Sequence, residues 1–223
     1  EDGDVRVSGA GNGPSGSGNA YGMYATSGRN SITTEDGNVT VSGVSSGSLG
    51  YGMSASNSGH NSIITESGNV EVSGSGSTGY GMHATVGENS ITTADGRVTV
   101  SGTSTAMHAS GGSNSISTED GDVQVSGPIG MYNKYGTNSV TTANGNVTVS
   151  GTGTSNAVGM MSAGEPNNNA ITATPGSNVI TTENGNITVM GTANTNNSSS
   201  GFGMNANAAG NNVIATEGGT VNV

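Results

Sequence analysis

Seven edited copies of one frame run through this chain, and that periodicity limits what it can fold into. The frame is Tyr21-Gly-Met-Tyr-Ala, then Asn30-Ser-Ile-Thr-Thr, a turn at Asp36-Gly37, and Asn38-Val-Thr-Val-Ser-Gly43. It recurs over 21–43, 51–74, 80–102, 105–127, 129–151, 158–191 and 202–223. A single copy holds too few apolar residues to bury a core of its own. Stacked copies share one, so the unit of folding is the array and the chain reads as a single repeat domain. The composition alone, with 41 glycines, one Phe and no Trp, resembles that of a disordered segment. The recurrence of Met, Ile and Val at fixed places argues the other way, because a disordered linker has no reason to repeat its apolar positions.

Each copy carries three strand signals. In the first, alternation places Tyr21, Met23 and Ala25 on one face and Tyr24 on the other. In the second, Asn30, Ile32 and Thr34 share a face opposite Ser31 and Thr33. In the third, Val39 and Val41 point inward and Thr40 outward. β-branched residues fill the second and third strands, as a half-buried pleated surface favours. Asp-Gly or Asn-Gly between strands normally signals a hairpin. Three strands per copy do not alternate into a regular meander, whereas a coil of three strands uses every copy in the same way. The expected fold is therefore all-β, a parallel β-helix of about seven three-strand coils. The crossover rule for parallel strands predicts right-handed winding.

Met-to-Met spacings of 30, 29, 25, 24, 29 and 44 residues suit one coil per copy, with an enlarged sixth. At about 4.8 Å per coil, seven coils make a rod of about 35 Å. In-register stacking sets Asn30 in a column with Asn61, Asn89, Asn114, Asn138, Asn178 and Asn212, a ladder of side-chain amides. The enlargement at Ala170-Ile-Thr-Ala-Thr-Pro-Gly176 repeats part of strand two and is expected to form a small protruding loop or hairpin.

The corner between the third strand and the next first strand varies most. From the closing Gly to the residue before Met, it holds 12, 8, 6, 3, 2, 7 and 11 intervening residues. Stacking turns that series into a dip over the fourth and fifth coils. The longest of these loops, 10–21 and 192–202, are rich in Gly, Ser and Asn and are expected to be mobile.

Charge excludes several functions. The formal net charge is −11 and the fixed cations are Arg6, Arg29, Arg97 and Lys134. Binding to nucleic acid or an anionic membrane needs clustered Lys and Arg. With zero Cys, disulfides and thiolate metal sites are excluded. No apolar run is long enough for a membrane helix. Both termini fall inside a repeat, so the chain is expected to be a piece of a longer array, with export and anchoring signals elsewhere.

Candidate binding residues lie where the copies differ. The position after Met reads Tyr24, Ser54, His83, His108, Tyr132, Met161 and Asn205. His83, His108 and Tyr132 are consecutive beside the dip, and outward rings there offer a surface for a sugar or another apolar ligand. The bland alternative is a variable exposed column. Two histidines with no third ligand do not make a metal site. Tyr21, Tyr51, Tyr80, Ile129, Val158 and Phe202 share the inward parity of Met and read as packing. Glu1-Asp-Gly-Asp4 and Glu119-Asp-Gly-Asp122 have the look of half a calcium loop, but other copies replace the Asp, so turn chemistry is preferred. No catalytic constellation and no cofactor motif is present, and the chain is read as a non-enzyme.

The frame Gly22-Met-Tyr-Ala, Asn30-Ser-Ile-Thr-Thr and Gly37-Asn-Val-Thr-Val-Ser-Gly43 resembles the degenerate repeats of β-solenoid passenger regions in bacterial type V secreted proteins, including autotransporter adhesins and filamentous haemagglutinin-like exoproteins. The resemblance covers nearly the whole chain. It implies a surface-exposed adhesive rod, anchored in the outer membrane through regions not in this chain. Its implied partners are a host glycan or protein receptor, or sister copies on other cells. Three alternatives stand beside it: an inert stalk presenting a distal domain, a carbohydrate-active β-helix enzyme, and an ice-binding solenoid with a Ser/Thr face.

Overall fold

A computed structural model describes residues 3–11, 18–153, 157–162, 176–193, 200–206 and 210–223. The expected hairpin at 170–176 falls outside these residues except for Gly176, as do 12–17 and 194–199 of the two longest corner loops.

The described chain is all-β. Strand β1 (Val5–Gly11) precedes the first coil. Coil 1 is β2 (Ala20–Ala25), β3 (Arg29–Asp36) and β4 (Val39–Ser45). Coil 2 is β5 (Leu49–Ala55), β6 (His60–Ser67) and β7 (Val70–Ser75). Coil 3 is β8 (Thr78–Ala84), β9 (Asn89–Asp95) and β10 (Val98–Gly102). Coil 4 is β11 (Thr105–Ala109), β12 (Asn114–Thr118) and β13 (Val123–Gly127). Coil 5 is β14 (Ile129–Asn133), β15 (Thr137–Thr142) and β16 (Val147–Gly153). Coil 6 is β17 (Ala157–Ser162), β18 (Ser177–Thr182) and β19 (Ile187–Ala193). Coil 7 is β20 (Gly201–Ala206), β21 (Asn212–Thr216) and β22 (Val221–Asn222).

Strands of successive coils pair in parallel and in register. Three sheets result: β1-β4-β7-β10-β13-β16-β19-β22, β2-β5-β8-β11-β14-β17-β20 and β3-β6-β9-β12-β15-β18-β21. They are called here the valine, methionine and isoleucine sheets after their inward columns. This is the parallel β-helix of seven three-strand coils that the repeats imply. The core is one continuous cluster in which Met53, Ile63, Val70 and Val72 are followed by their equivalents coil after coil. Coils 2 to 6 each add the same few buried side chains, at roughly 25 cal/mol per Å² of apolar surface removed from water, so the array gains stability by length.

The asparagine column closes the corner between the methionine and isoleucine sheets. Each Asn Nδ2 donates to the Oδ1 of the next coil, from Asn30 through to Asn212, at 2.8 Å in all six steps. Nδ2 also donates to a main-chain carbonyl of the methionine sheet, as from Asn61 to His83 O and from Asn89 to His108 O, both at 2.8 Å. Asn61, Asn89, Asn114, Asn138 and Asn178 are fully buried. A buried amide is tolerable there because its hydrogen-bonding capacity is used within the column.

Candidate functional site

The methionine sheet departs from simple alternation, and this departure builds the candidate site. Pairing runs Tyr21↔Tyr51, then Met23↔Met53, and passes over Gly22 and Gly52. The same skip recurs at Gly81, Gly130 and Gly159. A methyl built on these glycines would point inward, 2.7–2.9 Å from the Cγ1 of Val41, Val72, Val100, Val149 and Val189. In coil 4 the place belongs to Ala106, whose methyl is fully buried in the core. Two successive inward positions, Gly and Met, therefore kink the strand. The residue before Gly is thrown to the outside, on the same face as the residue after Met.

This corrects the expectation that Tyr21, Tyr51 and Tyr80 pack inward with the methionines. They stand outside, beside the candidate column. The rings of Tyr21 and Tyr24 lie 4.8 Å apart. Tyr51 stacks on Tyr21 at 5.0 Å with 1° between planes, and on Tyr80 at 5.3 Å with 9°. His83 tilts against Tyr51 and Tyr80, at 5.4 and 5.1 Å. His83 and His108 meet edge to face at 4.9 Å, and His108 meets Tyr132 in the same manner at 4.8 Å. The structure thus brings the predicted His83, His108 and Tyr132 into contact and joins Tyr24 to them through the tyrosine ladder. Such offset and edge contacts add stabilisation beyond burial alone, about 0.5–1.5 kcal/mol per pair.

The two outer columns of this sheet run Tyr21, Tyr51, Tyr80, Thr105, Ile129, Val158, Phe202 and Tyr24, Ser54, His83, His108, Tyr132, Met161, Asn205. None is Asp, Glu, Lys or Arg. The face is an uncharged aromatic and aliphatic strip on an acidic rod. Tyr24 and Phe202 protrude, 52% and 44% exposed, while His83 and His108 are half-buried between their neighbours. Toward the C-terminal end, the strip opens into a groove of about 310 Å³ lined by Ile129, Tyr132, Val158, Met161 and Phe202 together with Ser200 and Asn205.

Four of the strip's side chains, His83, His108, Tyr51 and Tyr132, are shifted toward neutrality. Burial pushes His83 down to about 4 and His108 down to about 3, the charge of His83 adding to the second. Burial raises the Tyr51 phenol to about 12, and repulsion from the neighbouring phenols Tyr21, Tyr80 and Tyr24 adds to it. Tyr132 is also raised, by burial first, against the opposing pull of Lys134. All four groups are uncharged near neutral pH. The site can take up an uncharged or apolar group, since its two columns themselves carry no charge near neutral pH.

The acidic turns serve the scaffold. Asp4 Oδ1 accepts from Asn38 N and Nδ2, at 2.8 and 3.1 Å. Asp122 Oδ1 accepts from Asn146 N and Nδ2 in the same way, at 2.9 and 3.0 Å. Among the described residues, no group of three or more His, Cys, Asp or Glu side chains is placed to hold a metal ion. Compared with known proteins, the chain matches no family model, no curated protein and no solved structure.

Sequence reasoning found four members of the strip and set aside Tyr21, Tyr51, Tyr80 and Phe202. A usable signal was the glycine directly before Met in six of the seven copies, preceded by Tyr in three of them. A glycine repeated inside a strand marks a bend or close approach, where alternation is not to be carried across.

Proposed function

We propose that this chain is a segment of an extracellular, rod-shaped bacterial surface adhesin, anchored through regions outside it, that meets its receptor along the outer face of the methionine sheet. The observation that carries this reading is the uncharged strip of aromatic and aliphatic side chains along the methionine sheet, from which Tyr24 and Phe202 protrude, on a rod of net charge −11. A contiguous apolar strip on an otherwise polar surface is a mark of an interaction site. The absence of charge on it favours a neutral glycan or an uncharged protein surface as receptor. The resemblance of the repeats to type V passenger regions supports surface display.

One observation favours the inert-stalk alternative. Tyr21, Tyr51 and Tyr80 cover one another's ring faces in their stack, and what covers a ring also stabilises the rod. Binding of the fluorescently labelled chain to a glycan array and to epithelial cells separates the two readings. Binding by the parent, lowered at least fivefold in a Tyr24→Ala/Tyr132→Ala variant, supports the adhesive strip. No binding by the parent supports the stalk. Binding that survives in the double variant places the receptor contact on another face.

A further inference from the structure

Several independent features meet at the junction between coils 3 and 4. Among the described residues, the buried side-chain polar atoms without a hydrogen-bond partner are His83 Nδ1, Thr93 Oγ1 and His108 Nδ1. All three belong to these two coils. In native structures such groups are few and each calls for a reason.

The turn after the isoleucine sheet changes type at the same junction. In coil 2 the threonine hydroxyl donates onward, from Thr65 to Ser67 O at 3.0 Å. In coils 4 to 7 it accepts from a glycine N–H instead, as Thr118 does from Gly121 at 2.9 Å and Thr142 from Gly145 at 3.0 Å. Thr93 stands between the two arrangements and has neither. From this junction onward the isoleucine sheet pairs over a shorter span. β6 pairs with β9 as far as Ser67↔Asp95, but β9 pairs with β12 only as far as Thr93↔Thr118.

The outer Asx column breaks at this point too. Asn38 and Asn69 each offer Oδ1 to the next coil's main-chain N–H. Arg97 occupies the following place and has no side-chain acceptor to continue the series. It reaches Asp122 only through an exposed ion pair of 3.8 Å.

We propose that the junction between coils 3 and 4 is an acid-opening seam, at which protonation of His83 and His108 parts the rod before either end unravels. The two rings are Cα partners on adjacent rungs, with centroids 4.9 Å apart. The titratable groups facing them are the phenols of Tyr51, Tyr80 and Tyr132. Ser110 Oγ lies 3.3 Å from His108 Nε2. β5, β8, β11 and β14 contain no carboxylate, and Glu88 in the loop after β8 lies 3.9 Å from His60 Nδ1 instead. Two imidazolium charges formed here would repel each other with no counter-charge at hand.

The direction follows from linkage. Both imidazoles hold their protons less tightly in the closed rod than in an opened coil, where the ordinary value is about 6.5. The stabilisation is fully present above that value and is lost as pH falls toward the folded values of about 4 and 3. Each imidazole raises the opening equilibrium by up to tenfold per pH unit across that window. Because each coil contacts only its neighbours, the remaining coils can stay closed while this junction opens. The seam is independent of what the strip binds.

Hydrogen exchange read by mass spectrometry at about pH 7 and about pH 4.5, corrected for intrinsic rates, tests this. Protection in Thr78–Ala84 and Thr105–Ala109 is expected to fall at least tenfold more than in Leu49–Ala55 or Ala157–Ser162. A His83→Phe/His108→Phe variant, which keeps both rings and removes the titration, is expected to lose that local response. Opening first at either end, an equal loss in every coil, or an acid response that persists in the double variant overturns the seam. The intact chain gives a check that needs no variant: NMR titration midpoints for these two imidazoles near the ordinary value overturn it as well.

Discussion

Tyr21 and Tyr24 share one face of the rod, their ring centroids 4.8 Å apart, although simple alternation sets residues three apart on opposite faces. Gly22 makes this possible by occupying an inward position beside Val41 where a side chain would collide. The aromatic strip therefore depends on glycines that touch no ligand.

Gly130 tests that dependence. A methyl there would lie 2.5 Å from Gly159 O and 2.9 Å from Val149 Cγ1. Gly130→Ala is expected to lower stability by about 1–3 kcal/mol, the usual range for overpacking a core. Ala106→Gly, at the one coil that accommodates a methyl, is expected to lower it by only about 0.5–1 kcal/mol through added chain freedom. Thermal unfolding followed by circular dichroism reads both. Equal losses at the two sites would mean that the kink does not require glycine.

The asparagine ladder predicts a gradient along the rod. Asn114 accepts from Asn89 and donates to Asn138 and to Tyr132 O. Asn114→Ala strands all three of those buried groups and is expected to cost about 3–5 kcal/mol. Asn212 is exposed and accepts from Asn178. Asn212→Ala is expected to cost under about 1 kcal/mol. Chemical denaturation of the two variants decides it, and a terminal loss as large as the central one would show that the amides do not act through burial.

Much of this was legible because a column repeats its letter. Met, Ile, Val and Asn announce their inward places seven times, and the pairing follows from laying the copies over one another. Two features were not legible, for physical reasons. Gly22 has no side chain, so the hydrophobic pattern does not record which way it points, and alternation carried across it sends Tyr21 to the wrong face. The turns Thr34-Glu-Asp-Gly37 and Thr118-Glu-Asp-Gly121 are spelled alike. Yet Thr34 Oγ1 lies 3.4 Å from Asp36 O, whereas Thr118 Oγ1 accepts from Gly121 N. Neighbouring coils choose between those geometries, so the four letters do not, and the seam they create at coils 3 and 4 stays hidden. Tyr24, His83, His108 and Tyr132 were found as a column; their contact with the tyrosine ladder needed the fold.

Alkaline pH probes the other end of the strip. The raised Tyr51 phenol holds its proton more tightly folded than unfolded. Its contribution to stability is present below the ordinary phenol value of about 10 and is lost as pH rises through about 12. Ultraviolet titration is expected to resolve a late-ionising tyrosine that disappears in Tyr51→Phe. That variant is also expected to unfold at higher pH than the parent. A titration identical in parent and variant would remove burial of this phenol from the account.

A paired and an unpaired threonine hydroxyl make opposite predictions for one substitution. Thr142 Oγ1 accepts from Gly145 N at 3.0 Å and donates to Glu119 O at 3.2 Å, and it is 1% exposed. Thr142→Val leaves that N–H without its acceptor and is expected to cost about 1–2 kcal/mol. Thr93 is as deeply buried, at 2%, with its hydroxyl unpaired. Thr93→Val replaces an unsatisfied polar atom by a methyl of similar size and is expected to raise stability by up to about 1 kcal/mol. Urea midpoints of the two variants against the parent give the comparison. A loss at Thr93 matching that at Thr142 would mean that its hydroxyl finds a partner in solution and that the turns of coils 3 and 4 are alike.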